Sequence, residues 1–457
     1  MMAKYKAYPE YKDSGVEWLG EIPTHWICTQ IKYGYDITLG KMLQKNKSSS
    51  KDELKPYLKA QNIQPTGIDL SVVDNMWFSP DEKNKLLLKN DDVLISEGGD
   101  VGRSALWQGQ LVECYIQNAI NRARAIKGNS PYFLNYWMVY LKSADFINTL
   151  CNKATIAHYT AEKVETSPLL LPNSDEQFHI SLFLDHETAK IDSLIEKQQQ
   201  LIELLKEKRQ AVISHAVTKG LNPDAPMKDS GVEWLGKVPE HWIPARLKYH
   251  TRQIVDGAHF TPTYTEKGIP FLRVTDIQDK YIDFDNIKFI PEHEHKELIK
   301  RCRPENGDLL LSKNGTIGVP KLIDWDWDFS IFVSLCLIKF KGTLTPEYSE
   351  FYFKSHEIKE QVFGLIKQST VINLHLDKIQ NLWFCIPPLE EQYKIVNYLN
   401  EKIDNLECLI ESAELTIRLA QERRTALISA AVTGKIDVRD WVASDTQDVE
   451  ASQEAIA

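Results

Sequence analysis

Polar side chains able to pair with base edges collect in a few glycine-marked turns of this 457-residue chain. Asn and Gln suit adenine, Arg and Lys suit guanine, and all of them, with Ser, Thr, Tyr and His, can also reach phosphate oxygens. In the first half the candidates for nucleic-acid contact are Lys41, Lys59, Gln61, Asn62, Ser96, Arg103, Asn118 and Arg122. In the second half they are His259, Thr261, Thr263, Tyr264, Arg273, Thr275, Lys313, Asn314 and Thr316. Taken singly, each is also an ordinary turn residue or solvated side chain, and Asn314-Gly315 is a common turn pair.

The sequence carries no complete catalytic pattern. Pro387-Pro388 follows Ile386 rather than the Asp, Asn or Ser of an amino-methyltransferase tetrapeptide. No glycine-rich loop for a nucleotide or S-adenosylmethionine follows a strand in the required way. Pro80-Asp81 and Pro223-Asp224 lack the acidic-x-Lys partner of a nuclease site. His293-Glu294-His295 reads as a solvated loop, so no metal is expected. Seven cysteines at irregular spacings, with no Cys-x-x-Cys, support neither a disulfide framework nor a zinc knuckle. With 54 basic and 64 acidic residues the net charge is −10, which argues against coating of DNA or anionic membrane by bulk positive charge. There is no apolar signal sequence and no stretch near the roughly 18 residues of a membrane span, so a cytoplasmic protein without membrane contact is expected.

The elements that must position the candidates repeat. KDSGVEWLG occurs at Lys12 to Gly20 and again at Lys228 to Gly236, and Ile22, Pro23, His25 and Trp26 continue as Val238, Pro239, His241 and Trp242. Asp92 to Gly102 matches Asp308 to Gly318 as a strand running into a glycine turn. Pro172 to Thr218 matches Pro387 to Thr433. Residues 36 to 60 and 250 to 274 diverge, so one frame carries two different inserts.

From Leu184 to Ala216, and from Leu399 to Ala431, mostly apolar residues recur at alternating steps of four and three. This is a heptad seam of about four and a half repeats, and about 33 residues of helix span roughly 50 Å, on the order of 15 base pairs. Ser174-x-x-Gln177 and Pro387-Pro388 mark the helix starts, and Gly220 and Gly434 the ends. The two seams are expected to pack on each other antiparallel, relating the halves by a pseudo-twofold. The alternative is that each seam packs on its own domain. Arg209 and Arg424 interrupt the seams at equivalent places and form end contacts or face another subunit. Residues 443 to 457 are acidic and without periodicity, the composition of a disordered tail.

In KDSGVEWLGEIPTHW and KDSGVEWLGKVPEHW, ILISEGGDVG and LLLSKNGTIG, LPNSDEQ and IPPLEEQ, and KEKRQAVISHAVTKG and QERRTALISAAVTGK, the chain resembles the specificity subunit of Type I restriction-modification enzymes. The likeness covers residues 5 to 437. It implies an α+β chain of two target-recognition domains in tandem pseudo-twofold repeat, separated by two long helices packed as an antiparallel coiled coil. The expected divisions are a first recognition domain over 1–172, a central helix over 173–220, a second recognition domain over 221–387, a C-terminal helix over 388–435 and a disordered tail over 436–457. Each recognition domain would read one half of an asymmetric, bipartite site on double-stranded DNA. Two methyltransferase subunits would dock on the constant regions, and two motor-nuclease subunits would join for restriction. S-adenosylmethionine, ATP and Mg2+ would be bound by those partners, leaving this subunit non-catalytic and without a cofactor of its own. Glu97 departs from Lys313 of the second copy, where it can accept from a cytosine amino group or keep the loop off phosphate. Two other readings stay open: a duplicated coiled-coil adaptor without DNA readout, and a self-sufficient nuclease or methyltransferase.

Overall fold

The structure is a computed structural model that describes residues 5–151, 158–278, 281–367 and 373–443. Contacts divide it into two compact units, Met1–Lys197 with Thr416–Ala457 and Gln198–Leu415. Each unit therefore takes the beginning of one long helix and the end of the other.

In the first unit a hairpin pairs Tyr11–Asp13 with Glu21–Pro23, and Ile27–Gln30 pairs antiparallel with Pro168–Leu171. A four-stranded antiparallel sheet follows in the order Ser104–Trp107, Asp92–Ser96, Ile120–Ala125, Tyr35–Leu39. A three-stranded sheet orders Tyr115–Ile116, Glu53–Leu58 and Asp74–Phe78. The second unit repeats the plan of these sheets. Its hairpin is Met227–Asp229 with Lys237–Pro239, its helix-side pair Ile243–Arg246 with Trp383–Ile386. Its four-stranded sheet runs Thr251–Asp256, Leu335–Phe340, Leu309–Ser312, Pro320–Leu322, and its three-stranded sheet Lys288–Ile290, Ile269–Leu272, Ser330–Ile331. Gly40 and Gly257 mark the same crossing in both: a Cβ there would come within 2.3 Å of the Gln117 carbonyl oxygen and 1.9 Å of that of Ile331, so only glycine lets the chains pass.

The long helices are Ser174–Lys219, 46 residues, and Leu389–Val432, 44 residues. Both exceed the length the seam alone indicates, because their first turns are buried in the recognition cores rather than in the seam. Asn173, not Ser174, caps the first: its Oδ1 accepts the Glu176 N–H at 2.9 Å. Gln177 turns sideways instead, accepting Ser130 N–H and donating to the Pro172 carbonyl, and Gln392 does the same with Thr345 and Pro387. The helices pack on each other in both units, the start of one against the end of its partner, as an antiparallel pair requires. Arg209 and Arg424, the breaks in the seam, form matching cross-helix ion pairs: Arg424 to Asp192 at 2.9 Å in the first unit and Arg209 to Glu407 at 3.3 Å in the second.

The recognition cores are aromatic. Trp26, Phe133, Trp137 and Phe183 are fully buried in the first, with Ala431 and Val432 of the second helix; Trp242, Tyr348 and Tyr352 take the places of the first three in the second, where Phe384 is also buried, with Ala216 and Val217 of the first helix. Residues 436–443, expected at the start of a disordered tail, are placed by the structure. Ile436 and Val438 are buried, and Trp441 sets its ring against Phe183, so apolar burial holds this stretch in the first unit. Residues 444–457 lie outside the described residues.

Candidate nucleic-acid interface

The repeated His-Trp and Glu-Gln motifs lock each recognition domain to its helix start. Glu176 is buried and accepts from Trp26 Nε1 at 3.0 Å and Tyr8 Oη at 2.6 Å, with His25 Nε2 at 2.9 Å. Glu391 accepts from Trp242 Nε1 at 3.0 Å and faces His241 Nε2 at 2.8 Å. The motif is thus architectural in both copies.

On this frame the candidate residues fall into two groups. Several are engaged inward. Asn62 is buried, accepts the Lys59 N–H and donates to the Asp69 and Val72 carbonyls. Arg273 occupies the place of Lys59 and binds Asp276 through Nη2 at 2.7 Å and Nε at 3.1 Å, while Asp276 accepts the Arg273 N–H as Asn62 accepts that of Lys59. Ser96 is buried and donates to the Gly98 carbonyl. Arg122 is 3 % exposed and donates to the Lys85 carbonyl, Thr38 and Asp36. Lys41 pairs with Glu82, Lys59 with Asp74, and Arg103 with Asp100 and Gln64. The others remain outward: Gln61, Thr261, Thr263, Thr275 and Thr316 are exposed, as are Tyr264 and His259. Asn118 is half-buried with its side chain unpaired among the described residues, and the Asn314 Oδ1 is buried without a partner.

The largest chemical difference between the domains is one that sequence reasoning missed. Asp256, buried at the end of its strand, holds two cations and an imidazole: Lys313 Nζ at 2.8 Å, Arg301 Nη2 at 2.5 Å and His259 Nε2 at 3.0 Å. Burial pushes its carboxyl up, but the bonds from Lys313 and His259 outweigh this and hold it down to about 2. Lys313 is therefore buried, whereas His259 and Arg301 keep more than half of their side chains open to solvent. By the frame the first domain has Leu39 and Glu97 in place of Asp256 and Lys313, and Glu97 faces His158 at 3.8 Å. The signal was present as an acid closing the strand Thr251–Asp256, but two of its partners lie 45 and 57 residues away.

His293-Glu294-His295 is not a solvated loop. It lies on the helix Glu292–Leu298, with His295 buried and its Nδ1 at 2.9 Å from Ser330 Oγ. Among the described residues no group of His, Cys, Asp and Glu is placed to hold a metal ion. Burial lowers the His295 pKa below its ordinary 6.5. The folded protein keeps it neutral while the unfolded chain protonates, so its contribution is full above roughly pH 6.5 and is lost as pH falls. His295→Asn should flatten the acid limb of the second unit's stability by up to about 1.4 kcal/mol per pH unit. Denaturant titrations from pH 7 to 5 check this, and parallel limbs for the two proteins would refute it.

No helix among the described residues is long and apolar enough to cross a membrane. Against known proteins, the family model for the Type I restriction modification DNA specificity domain matches twice, over residues 36–204 and 260–416. The chain is 22 % identical over 455 residues to the Type I restriction enzyme EcoKI specificity subunit of Escherichia coli strain K12, covering 96 % of this chain and 95 % of that one. It is 21 % identical to the EcoBI specificity subunit of Escherichia coli, covering 98 % and 94 %. Among solved structures, a chain from work on complex assembly and conformational transition of the type I R-M system has a TM-score of 0.71 at 16 % identity, covering 91 % of this chain and 99 % of that one. The HsdS subunit from Thermoanaerobacter tengcongensis has a TM-score of 0.53, also at 16 % identity, covering 91 % and 98 %. With two domain matches set on the two units that share one frame, this chain belongs to the family of Type I restriction-modification DNA specificity subunits.

Proposed function

We propose that each recognition domain reads one half of an asymmetric, bipartite site on double-stranded DNA, and that the helix pair fixes the gap between the halves. The observation that carries this reading is a common frame bearing different loop chemistry: Leu39 and Glu97 in one domain stand where the buried Asp256 and Lys313 stand in the other, and only Asp256 holds a solvent-open histidine and arginine, His259 and Arg301. The contacts are assigned to the outward residues, Gln61 and Asn118 in the first domain and His259, Thr261, Thr263, Tyr264, Thr275, Asn314 and Thr316 in the second. Lys41, Lys59, Asn62, Ser96, Arg103, Arg122, Arg273 and Lys313 shape the loops from within. The subunit works in the cytoplasm, is non-catalytic and binds no cofactor. An adenine methyltransferase using S-adenosylmethionine, and motor-nuclease subunits using ATP and Mg2+, supply the chemistry.

Two methyltransferase subunits dock on the helices. Three large apolar residues are exposed at equivalent places in each unit: Phe178, Leu194 and Leu419 in the first, Tyr393, Leu409 and Leu204 in the second. A soluble surface that exposes such a set twice supports one kind of partner bound twice.

Methylome sequencing of a methylation-free host expressing this chain with the methyltransferase encoded beside it tests the whole reading. One bipartite motif with adenine methylated in both halves is expected; no motif from an assembled complex would overturn it in favour of the adaptor. A sharper result concerns Asp256→Asn, paired with Lys313→Met to avoid a buried unmatched ammonium. Discrimination should relax in the second half-site alone, while the salt dependence of DNA affinity should stay as it was, since the pair of changes removes one anion and one cation together. Relaxation in both halves would remove Asp256 from this role.

A further inference from the structure

The nine residues KDSGVEWLG are identical in the two copies, and the fold accounts for only part of that identity. Asp13 Oδ1 accepts the Gly15 N–H at 2.8 Å and Asp229 Oδ1 that of Gly231 at 2.8 Å. Ser14 and Ser230 bridge the turn through Val16 and Val232, and Leu19 and Leu235 are buried. Lys12, Glu17 and Trp18, with their counterparts Lys228, Glu233 and Trp234, are different. Their side chains make no hydrogen bond or ion pair among the described residues. Trp18 and Trp234 are nonetheless exposed to the same degree, 42 % and 43 %. Among the described residues, Trp18 but not Trp234 rests on other rings, stacked on Phe146 at 5.0 Å and Tyr140 at 6.2 Å. The packing beneath the two indoles differs while the outward face stays the same.

Exposed neighbours on the same hairpins have drifted freely. Glu21 is replaced by Lys237, reversing the charge, and Thr24 by Glu240. An exposed indole is costly to solubility and its retention beside a carboxylate, twice, in a chain whose inserts share little, needs a common binding partner.

We infer that the two KDSGVEWLG hairpins are a duplicated docking site, each receiving one methyltransferase subunit through an apolar pocket for the tryptophan flanked by a cation for the glutamate. This rests on the reading of the chain as the specificity subunit of a methyltransferase complex. One partner surface bound twice explains why both copies are held alike, where two unlike partners would have let them diverge.

The test is native mass spectrometry and titration of the full chain co-expressed with its methyltransferase subunit. Trp18→Ala and Trp234→Ala should each leave one methyltransferase bound at a concentration where the unaltered chain holds two, with at least a ten-fold loss at the altered site. The double variant should lose both. Glu17→Lys with Glu233→Lys, at exposed side chains without a hydrogen bond or ion pair among the described residues, should give the same loss with unchanged thermal unfolding, which separates docking from folding. Two methyltransferases retained by the doubly altered chains would overturn the hairpin proposal alone, and so would loss of the motor subunit with methyltransferase binding intact. Failure of the unaltered chain to bind any methyltransferase would instead overturn the reading beneath it.

Discussion

Inserting four residues after Gln200 of the first long helix should lengthen the gap between the half-sites by about two base pairs and leave both half-sites unchanged. Four residues add about 6 Å of helix, against 3.4 Å per base pair. The half-sites should not change because the proposed readers lie on loops outside the helices, and the insertion point is remote from the sheet that holds them. Four residues turn the helix about 40° past a full circle, so the seam is left slightly out of phase and some loss of stability will accompany the change. Seven residues inserted after both Gln200 and Leu415, which are equivalent positions, restore the phase and should add about three base pairs. Methylome sequencing reads both outcomes. New bases in either half-site, or an unchanged gap in a folded protein, would remove the helices from the role of ruler.

Glu176→Ala should be the most damaging single change in the first unit, at about 3 kcal/mol or more. The carboxylate is buried and accepts from the buried Tyr8 and Trp26, with the exposed His25 beside it, so its loss leaves two buried donors unmatched at roughly 1–3 kcal/mol each. Glu176→Gln keeps one acceptor oxygen and should cost less. Glu391→Ala removes the same lock from the second unit, but that carboxylate is more open, 26 % against 2 % of its side chain, and has no counterpart of Tyr8, where the chain has Asp224. Its loss should be the smaller of the two. Hydrogen exchange resolved over the two units, or denaturant titration, measures the difference. Equal losses, or a loss below about 1 kcal/mol for Glu176→Ala, would show that the Glu176 network is not what fastens the domain to the helix.

The frame was legible because repetition and period leave marks that tertiary context does not erase. The seam placed Arg209 and Arg424 at equivalent breaks, and the acids that neutralise them, Glu407 and Asp192, stand at equivalent positions too. Comparison of the copies shows the same for Lys59-x-x-Asn62 and Arg273-x-x-Asp276, a turn closed by a short polar side chain on the backbone three residues before it. That repetition was the available sign that Asn62 serves the fold. The interface was less legible because a polar residue beside a glycine looks alike whether it closes a turn or faces solvent. Arg122 shows the limit: read as part of a polar turn, it lies in the strand Ile120–Ala125, and its burial depends on Lys85, Thr38 and Asp36, which only the folded sheet brings to it. The carboxylate hub at Asp256 is illegible for the same reason.

The division of the chain also sets an order in time. The second unit is one continuous stretch, Gln198–Leu415, whereas the first needs Thr416 onward to cover its core with Ala431, Val432, Ile436 and Val438. On the ribosome the part made first must wait for the part made last, a delay of about 10–45 s at roughly 5–20 residues per second. During that wait the apolar face around Phe183 and Leu184 stands open, and the unit begun second is the first to be finished.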